Sequence, residues 1–280
     1  MRLLSTRELA DALGVSESSL KRWVDAGKIV ASRTEGGHRR IRLAEAMRFI
    51  RASGTPLLRP EILDLPEVAE VQTKQERLVG YLLEGNGVGA RGWLMARYLE
   101  GASIAELCDG PIREAMHALG ELWKHDECGV FVEHRGTDAC LQAVSQLRSM
   151  LEPPAEAAPV ALGGAPAGDP YLIPSQLATM TLTEVGMRAV NLGPDTPVAA
   201  FEGAVAAHSP QLVWTSISTP IAPARSKSLK DWYESLPASV TVAVGGQQAS
   251  GLGKLPARVR RVHSMVELAD VAAGVIKRAA

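Results

Sequence analysis

The chain has 280 residues, 46% of them apolar and 22% charged, which excludes a disordered or fibrous protein and leaves room for two or three separate cores. No apolar run approaches the roughly 18 residues of a membrane span, and "MRLLSTRELADALGV" lacks the unbroken apolar stretch of a signal peptide, so a cytoplasmic protein with no membrane partner is expected. The net charge of −1 hides an asymmetry: residues 1–60 hold twelve Lys and Arg against six Asp and Glu, and the rest of the chain holds eighteen against twenty-five. A small basic head on an acidic body points the head toward a polyanion.

In chain order, the head comes first. Ser5 or Thr6 caps a helix over Thr6 to Ala12, Gly14 makes a turn, and Ser16 caps a second helix through Leu20 and Trp23 to about Ala26. This is a helix-turn-helix, whose second helix can enter the major groove. "SRTEGGHRRI" then reads as a two-stranded wing with Gly36-Gly37 at its turn. The candidate DNA contacts are Ser18, Ser19, Lys21 and Arg22 on the second helix, and Arg33, His38, Arg39 and Arg40 around the wing. Alanine at Arg39 or Arg40 is expected to weaken binding to a double-stranded operator through lost phosphate contact. The head, residues 1–52, resembles the MerR family of winged-helix transcription regulators in its "GVSESSLKRWVDAGKI" helix and "RTEGGHRR" wing. That resemblance implies DNA binding as a dimer or higher oligomer.

"SGTPLLRPEILDLP" marks a boundary, and residues 67–151 contain one proline, Pro111, with apolar residues at helical spacing. Leu78, Tyr81 and Leu82, then Trp93, Leu94 and Tyr98, then Met116, Leu119, Leu122 and Trp123 carry the pattern, with "EGNGVGARG" and "EGAS" as turns. A bundle of about four helices is expected. "EPPAEAAP" is a stiff linker. From 160 to 280 short apolar runs alternate with helical stretches, as in "PVALGG", "RAVNLG", "QLVWTSI" and "VTVAVGG". That alternation predicts a parallel sheet covered by helices on both faces. The expected fold class is therefore multidomain α and α/β: winged helix-turn-helix, four-helix bundle, and a Rossmann-like parallel α/β domain.

The remaining titratable groups speak against catalysis. Cys108, Cys128 and Cys140 form no CxxC pair and read as small buried apolar side chains. His117 and His125 have no partner at ligand spacing, and no GxGxxG, P-loop, GxSxG or HExxH motif is present. Trp123 is followed ten residues on by Glu133 and His134. Further on come Asp169-x-Tyr171-x-x-Pro174, then Ser216-Ile217-Ser218, then Gly245-Gly246. In these residues the chain resembles the cobalamin-binding, light-sensing repressors of the MerR class (the CarH/LitR type), whose bundle carries W-x9-EH and whose Rossmann-like domain carries D-x-H-x-x-G, S-x-L and G-G. The resemblance implies that Trp123, Glu133 and His134 contact the upper face of a corrin. It also implies that Asp169, Ser216, Gly245 and Gly246 frame the lower side, with Ser218 standing where the family has leucine, beside the slot for the nucleotide tail.

The histidine that ligates cobalt in that family is Tyr171 here, and the glycine of the same motif is Pro174. A phenol, titrating near ~10, is a poor substitute for imidazole. Three states stay open: adenosylcobalamin bound base-on or through His134 as a metal ligand, another tetrapyrrole such as haem, or no cofactor, with the module joining subunits into a dimer or tetramer or binding a regulatory protein.

Overall fold

In the computed structural model, residues 3–63, 65, 76–122 and 127–279 are described. Contacts divide the chain into two compact units, residues 1–103 with 110–151, and residues 104–109 with 152–280.

The first unit begins with strand β1 (Leu3–Ser5), followed by helices α1 (Thr6–Leu13) and α2 (Glu17–Asp25). Ser5 caps α1 through a full capping box, in which its hydroxyl takes the Glu8 N–H at 3.1 Å and the Glu8 carboxylate takes the Ser5 N–H at 2.7 Å. Gly14 ends the helix at φ 65°, the left-handed conformation that only glycine adopts cheaply. Ser16 caps α2 by accepting the Ser19 N–H at 3.1 Å. The wing is strand β2 (Ser32–Arg33) paired antiparallel with β3 (Arg39–Arg42). Its turn is closed by the Thr34 N–H, which donates to the His38 carbonyl at 3.0 Å, and by the His38 N–H, which donates to the Thr34 hydroxyl at 3.2 Å, with Gly37 at φ 78°.

The two-stranded wing forms as expected, and β1 joins it to make a three-stranded sheet of order β1-β3-β2. Arg40 of the central strand lies opposite both Ser5 and Ser32. Leu4, Leu9, Leu13, Leu20, Ile29 and Ile41 form the core beneath it.

Helix α3 (Leu43–Ser53) closes the head. Near its start Glu45, whose side chain is 15% exposed, accepts the Val30 N–H at 2.7 Å and is gripped by the Arg48 guanidinium. Burial pushes the Glu45 carboxyl up, but these hydrogen bonds outweigh it and hold the group below its usual value. A carboxyl depressed by folding contributes stability above its unfolded pKa and loses it as pH falls through the folded value. Glu45→Gln is therefore expected to cost about 1 kcal/mol at neutral pH. Melting curves of wild type and variant should converge as the solution is made acidic.

The boundary segment packs on the head, since the N–H groups of Leu58 and Arg59 both reach the Ala12 carbonyl, at 2.9 and 3.0 Å, and Leu63 and Leu65 are buried. At the far end of α3, Arg51 lies 3.8 Å from the centroid of the Tyr98 ring.

Tyr98 belongs to the bundle, helices α4 (Glu76–Leu83), α5 (Gly87–Leu99), α7 (Arg113–Leu122) and α8 (Glu127–Arg148). The stretch "GVGARG", expected as a turn, is the first part of α5, because Asn86 caps it by accepting the Gly89 N–H at 2.8 Å. The intervening α6 (Ile104–Leu107) belongs to the second unit.

That second unit is a five-stranded parallel sheet of order β5-β4-β6-β7-β8, formed by β4 (Val160–Gly164), β5 (Arg188–Asn191), β6 (Leu212–Ser216), β7 (Thr241–Gly245) and β8 (Val259–Arg261). Alternate residues of the strands feed two cores. Ala161, Leu212 and Trp214 face helices α9 (Ile173–Val185) and α12 (Met265–Ala279). Leu162, Val213 and Val242 face Phe201 of α10 (Val198–His208) and Leu229, Trp232 and Tyr233 of α11 (Pro223–Ser235). The Tyr233 hydroxyl is buried, hydrogen-bonded to Thr215 at 2.6 Å, and its pKa is raised by desolvation. The fold is thus multidomain α and α/β, with a Rossmann-like sheet.

The short α6 segment joins this unit through backbone-to-carboxylate bonds. Glu184 accepts the Ile104 N–H at 2.7 Å, and Asp109 accepts the Met265 and Val266 N–H groups at 2.8 and 2.9 Å, capping α12.

Candidate DNA-binding surface and carboxyl-edge site

Helix α2 and the wing carry every head residue singled out in the sequence. Ser16 shares its hydroxyl with Ser18 and Ser19, both at 2.9 Å, and Arg22 donates to Ser19 at 3.1 Å. Lys21 pairs with Glu17 at 2.9 Å, and Glu17 also accepts the Thr6 hydroxyl at 2.8 Å. The Lys21 and Thr6 hydrogen bonds hold the Glu17 carboxyl below the usual range. A polar cleft opens between the start of α1, helix α2 and the wing, bordered by Lys21, His38, Arg39 and Arg40. Arg39 differs from its neighbours: its side chain is only 20% exposed, and Nη2 bonds both oxygens of Asp25, at 2.6 and 2.9 Å. Arg33 approaches the same carboxylate at 3.9 Å.

In the second unit, ligand sites of such sheets lie beyond the carboxyl ends of the strands, where the chain leaves neighbouring strands toward opposite faces. Here that point lies between β4 and β6. After β4 the chain enters α9 on one face, and after β6 it enters α11 on the other. Asp169, Ser216, Ser218, Gly245 and Gly246 all converge on this edge. Asp169 is 1% exposed, and its carboxylate accepts the N–H groups of Ser218 and, at 3.2 Å, Tyr171. It thereby ties the loop after β4 to the loop after β6. Ser216 and Ser218 are buried, and the Ser218 carbonyl accepts from Gln247 Nε2 at 3.0 Å. Ile217 and the loop after β7 bond twice, Ile217 N–H to Gly245 at 2.8 Å and Gln248 N–H to Ile217 at 2.9 Å. Gly246 sits at φ 102° with the Ile217 backbone against it.

On α8, Glu133 is a quarter exposed and accepts the Thr137 hydroxyl at 2.9 Å. Beside it, His134 is 76% exposed, 3.4 Å from the Glu133 carboxylate. Trp123 and His125 lie outside the described residues, as does the Cys128 side chain. Cys108 and Cys140 are buried, and burial pushes the Cys140 thiol up to about 12.

Residues 3–53 match the family model of a helix-turn-helix domain, and residues 74–148 match that of a B12 binding domain. The HTH-type transcriptional repressor CarA of Myxococcus xanthus is 27% identical over 258 residues, 87% of this chain and 86% of the relative. The chain is a transcription regulator with a helix-turn-helix head and a B12-binding-type module, similar to MerR-like repressors. Among solved structures, the monomethylamine corrinoid protein of Methanosarcina barkeri matches with a TM-score of 0.55 at 20% identity, over 72% of the regulator and 98% of that chain, which establishes the likeness of fold. Among the described residues of the regulator, no helix is long and apolar enough to cross a membrane.

The carboxyl edge of the regulator's sheet does not fit a corrinoid ligated from below by histidine. The side chain at that place is the Tyr171 phenol, 53% exposed. Asp169, which could otherwise orient a ligand, has its carboxylate committed to two backbone N–H groups. The sheet face toward α9 and α12 is filled at mid-strand by the indole of Trp214, 2% exposed and packed over Gly163. A Cβ on Gly163 would stand 2.2 Å from that ring. Sequence reasoning passed over Trp214 and Asp25, whose roles come from partners 51 and 14 residues away.

Proposed function

We propose that this protein is a transcriptional repressor that binds duplex DNA as a homo-oligomer through its winged helix. Its α/β module serves assembly without a histidine-ligated cobalt. The observation that carries the first half is the placement of Ser18, Ser19, Lys21 and Arg22 on α2 beside a wing bearing Arg33, His38 and Arg40. The likeness to a repressor supports the sign of regulation. The second half rests on the exposed phenol of Tyr171 where an imidazole is needed.

The exposed Glu133–His134 pair on α8 favours a second reading, a regulator that still takes adenosylcobalamin base-on or through His134 and responds to light. Linkage then requires the ligand to prefer one assembly over another.

Titration of the purified protein with adenosylcobalamin in the dark, followed by visible spectrum and elution volume, separates the two. An unchanged cofactor spectrum and a constant elution volume are expected. A bound base-on spectrum, or a change of oligomer, overturns the cobalt-independent reading and leaves a sensor with another coordination mode. Control by a protein partner at the same module is compatible with the expected result.

A further inference from the structure

We propose that Asp25 is a positioning residue that latches the wing to the end of the DNA-reading helix, so that Arg39 serves the latch and not a phosphate. This rests on the DNA-binding reading of the head. Asp25 is the last residue of α2, where a carboxylate meets the negative end of the helix dipole. It also adds a negative charge, half-exposed, on a head that approaches a polyanion. Both effects are unfavourable locally, and a residue that breaks two local rules calls for a compensating interaction.

The wing supplies it. Arg33 and Arg39 are direct cross-strand partners on β2 and β3. Two like charges placed opposite each other repel, and Asp25 stands within reach of both. Arg39 bonds its two oxygens at 2.6 and 2.9 Å, and Arg33 lies 3.9 Å away. The depth of the Arg39 side chain, 20% exposed with its Nε buried, distinguishes it from Arg33 at 65%. The wing also meets α2 through the short connection over residues 26–31 and through the central strand it shares with β1. One carboxylate thus fixes where the wing's remaining cations stand relative to α2.

The sign of one substitution separates a latch from a bystander. Pure electrostatics makes Asp25→Asn tighten binding to DNA, because one negative charge is lost. The latch makes the same change weaken binding, because the wing is no longer held. The probe is a labelled mixed-sequence duplex at low salt, with affinity read by anisotropy. Asp25→Asn is expected to bind about tenfold more weakly than wild type. The double variant Asp25→Asn/Arg39→Gln has the wild-type net charge and is expected to be as weak as the single one. Wild-type or tighter binding by either variant overturns the latch. Failure of the wild-type protein itself to bind the duplex overturns the DNA-binding reading instead.

Discussion

Alanine at Gly246 lowers the unfolding free energy by about 3 kcal/mol or more. Gly246 follows β7 at φ 102°, where an L side chain is strained, and the position lies against the Ile217 backbone. An added Cβ would stand 2.3 Å from the Ile217 carbonyl oxygen and 2.5 Å from its nitrogen. Neither atom can swing aside, because Ile217 is pinned on both sides by hydrogen bonds to Gly245 and Gln248. Relief therefore requires the loops after β6 and β7 to separate, which breaks the ladder end that also positions Ser218.

Gly193→Ala provides the comparison. Gly193 sits at φ 82° with nothing within 4 Å of an added Cβ, so it carries conformational strain without the clash. It should cost about 1 kcal/mol. Urea unfolding of the two variants against wild type, compared through midpoint and slope, separates the two contributions. Equal losses would show that the close approach to Ile217 adds nothing.

Tyr171→His should turn the carboxyl edge into a cobalt ligand. The phenol at this place is half-exposed and its backbone N–H is already held by Asp169, so a side chain here projects from a fixed loop with room to reach a ligand. A protonated phenol is a poor metal donor, whereas a neutral imidazole nitrogen is ready to bind metal. Diaquacobinamide is the suitable probe, because it has no nucleotide tail and so makes no demand on the core filled by Trp214. The variant is expected to bind it at least about tenfold more tightly than wild type, roughly 1.4 kcal/mol, with the spectral shift of an imidazole ligand. Equal affinity and no shift would mean that the loop, stiffened by Pro170 just ahead of α9, aims residue 171 away from any ligand.

These two expectations draw on different kinds of legibility. That position 171 carries a phenol was readable because a side chain's identity is local and holds in any fold. The head was readable for a similar reason. Ser5, Gly14 and Ser16 cap and break helices through atoms three or four residues away, so residue type and spacing carry the signal. Apart from β8, the alternation from β4 to α12 was legible from its short apolar runs, since a parallel strand buried on both faces has few polar residues to obscure it.

Strand β8 was passed over because "VRR" is a charged edge strand three residues long, with no apolar alternation to announce it. β1 was missed because its pairing with Arg40–Arg42 spans nearly forty residues. Segment 104–109 reads as bundle by position in the chain. It groups with the sheet because Glu184 and Asp109 make carboxylate bonds to backbone across about eighty and about 156 residues. The need for glycine at 246 and the capture of Arg39 by Asp25 are decided the same way, by which backbone or carboxylate the fold carries up against them.

The sequence by itself determined a basic helix-turn-helix head, a helical segment, an α/β body and a phenol at position 171, because each is written in contiguous residues whose conformation or chemistry is intrinsic. Only the tertiary structure decided which cations are held by Asp25, which glycine has no room for a methyl group, and which helical segment joins the sheet. Those outcomes depend on groups distant in the chain, and propensity and spacing contain no term for a partner brought close by folding.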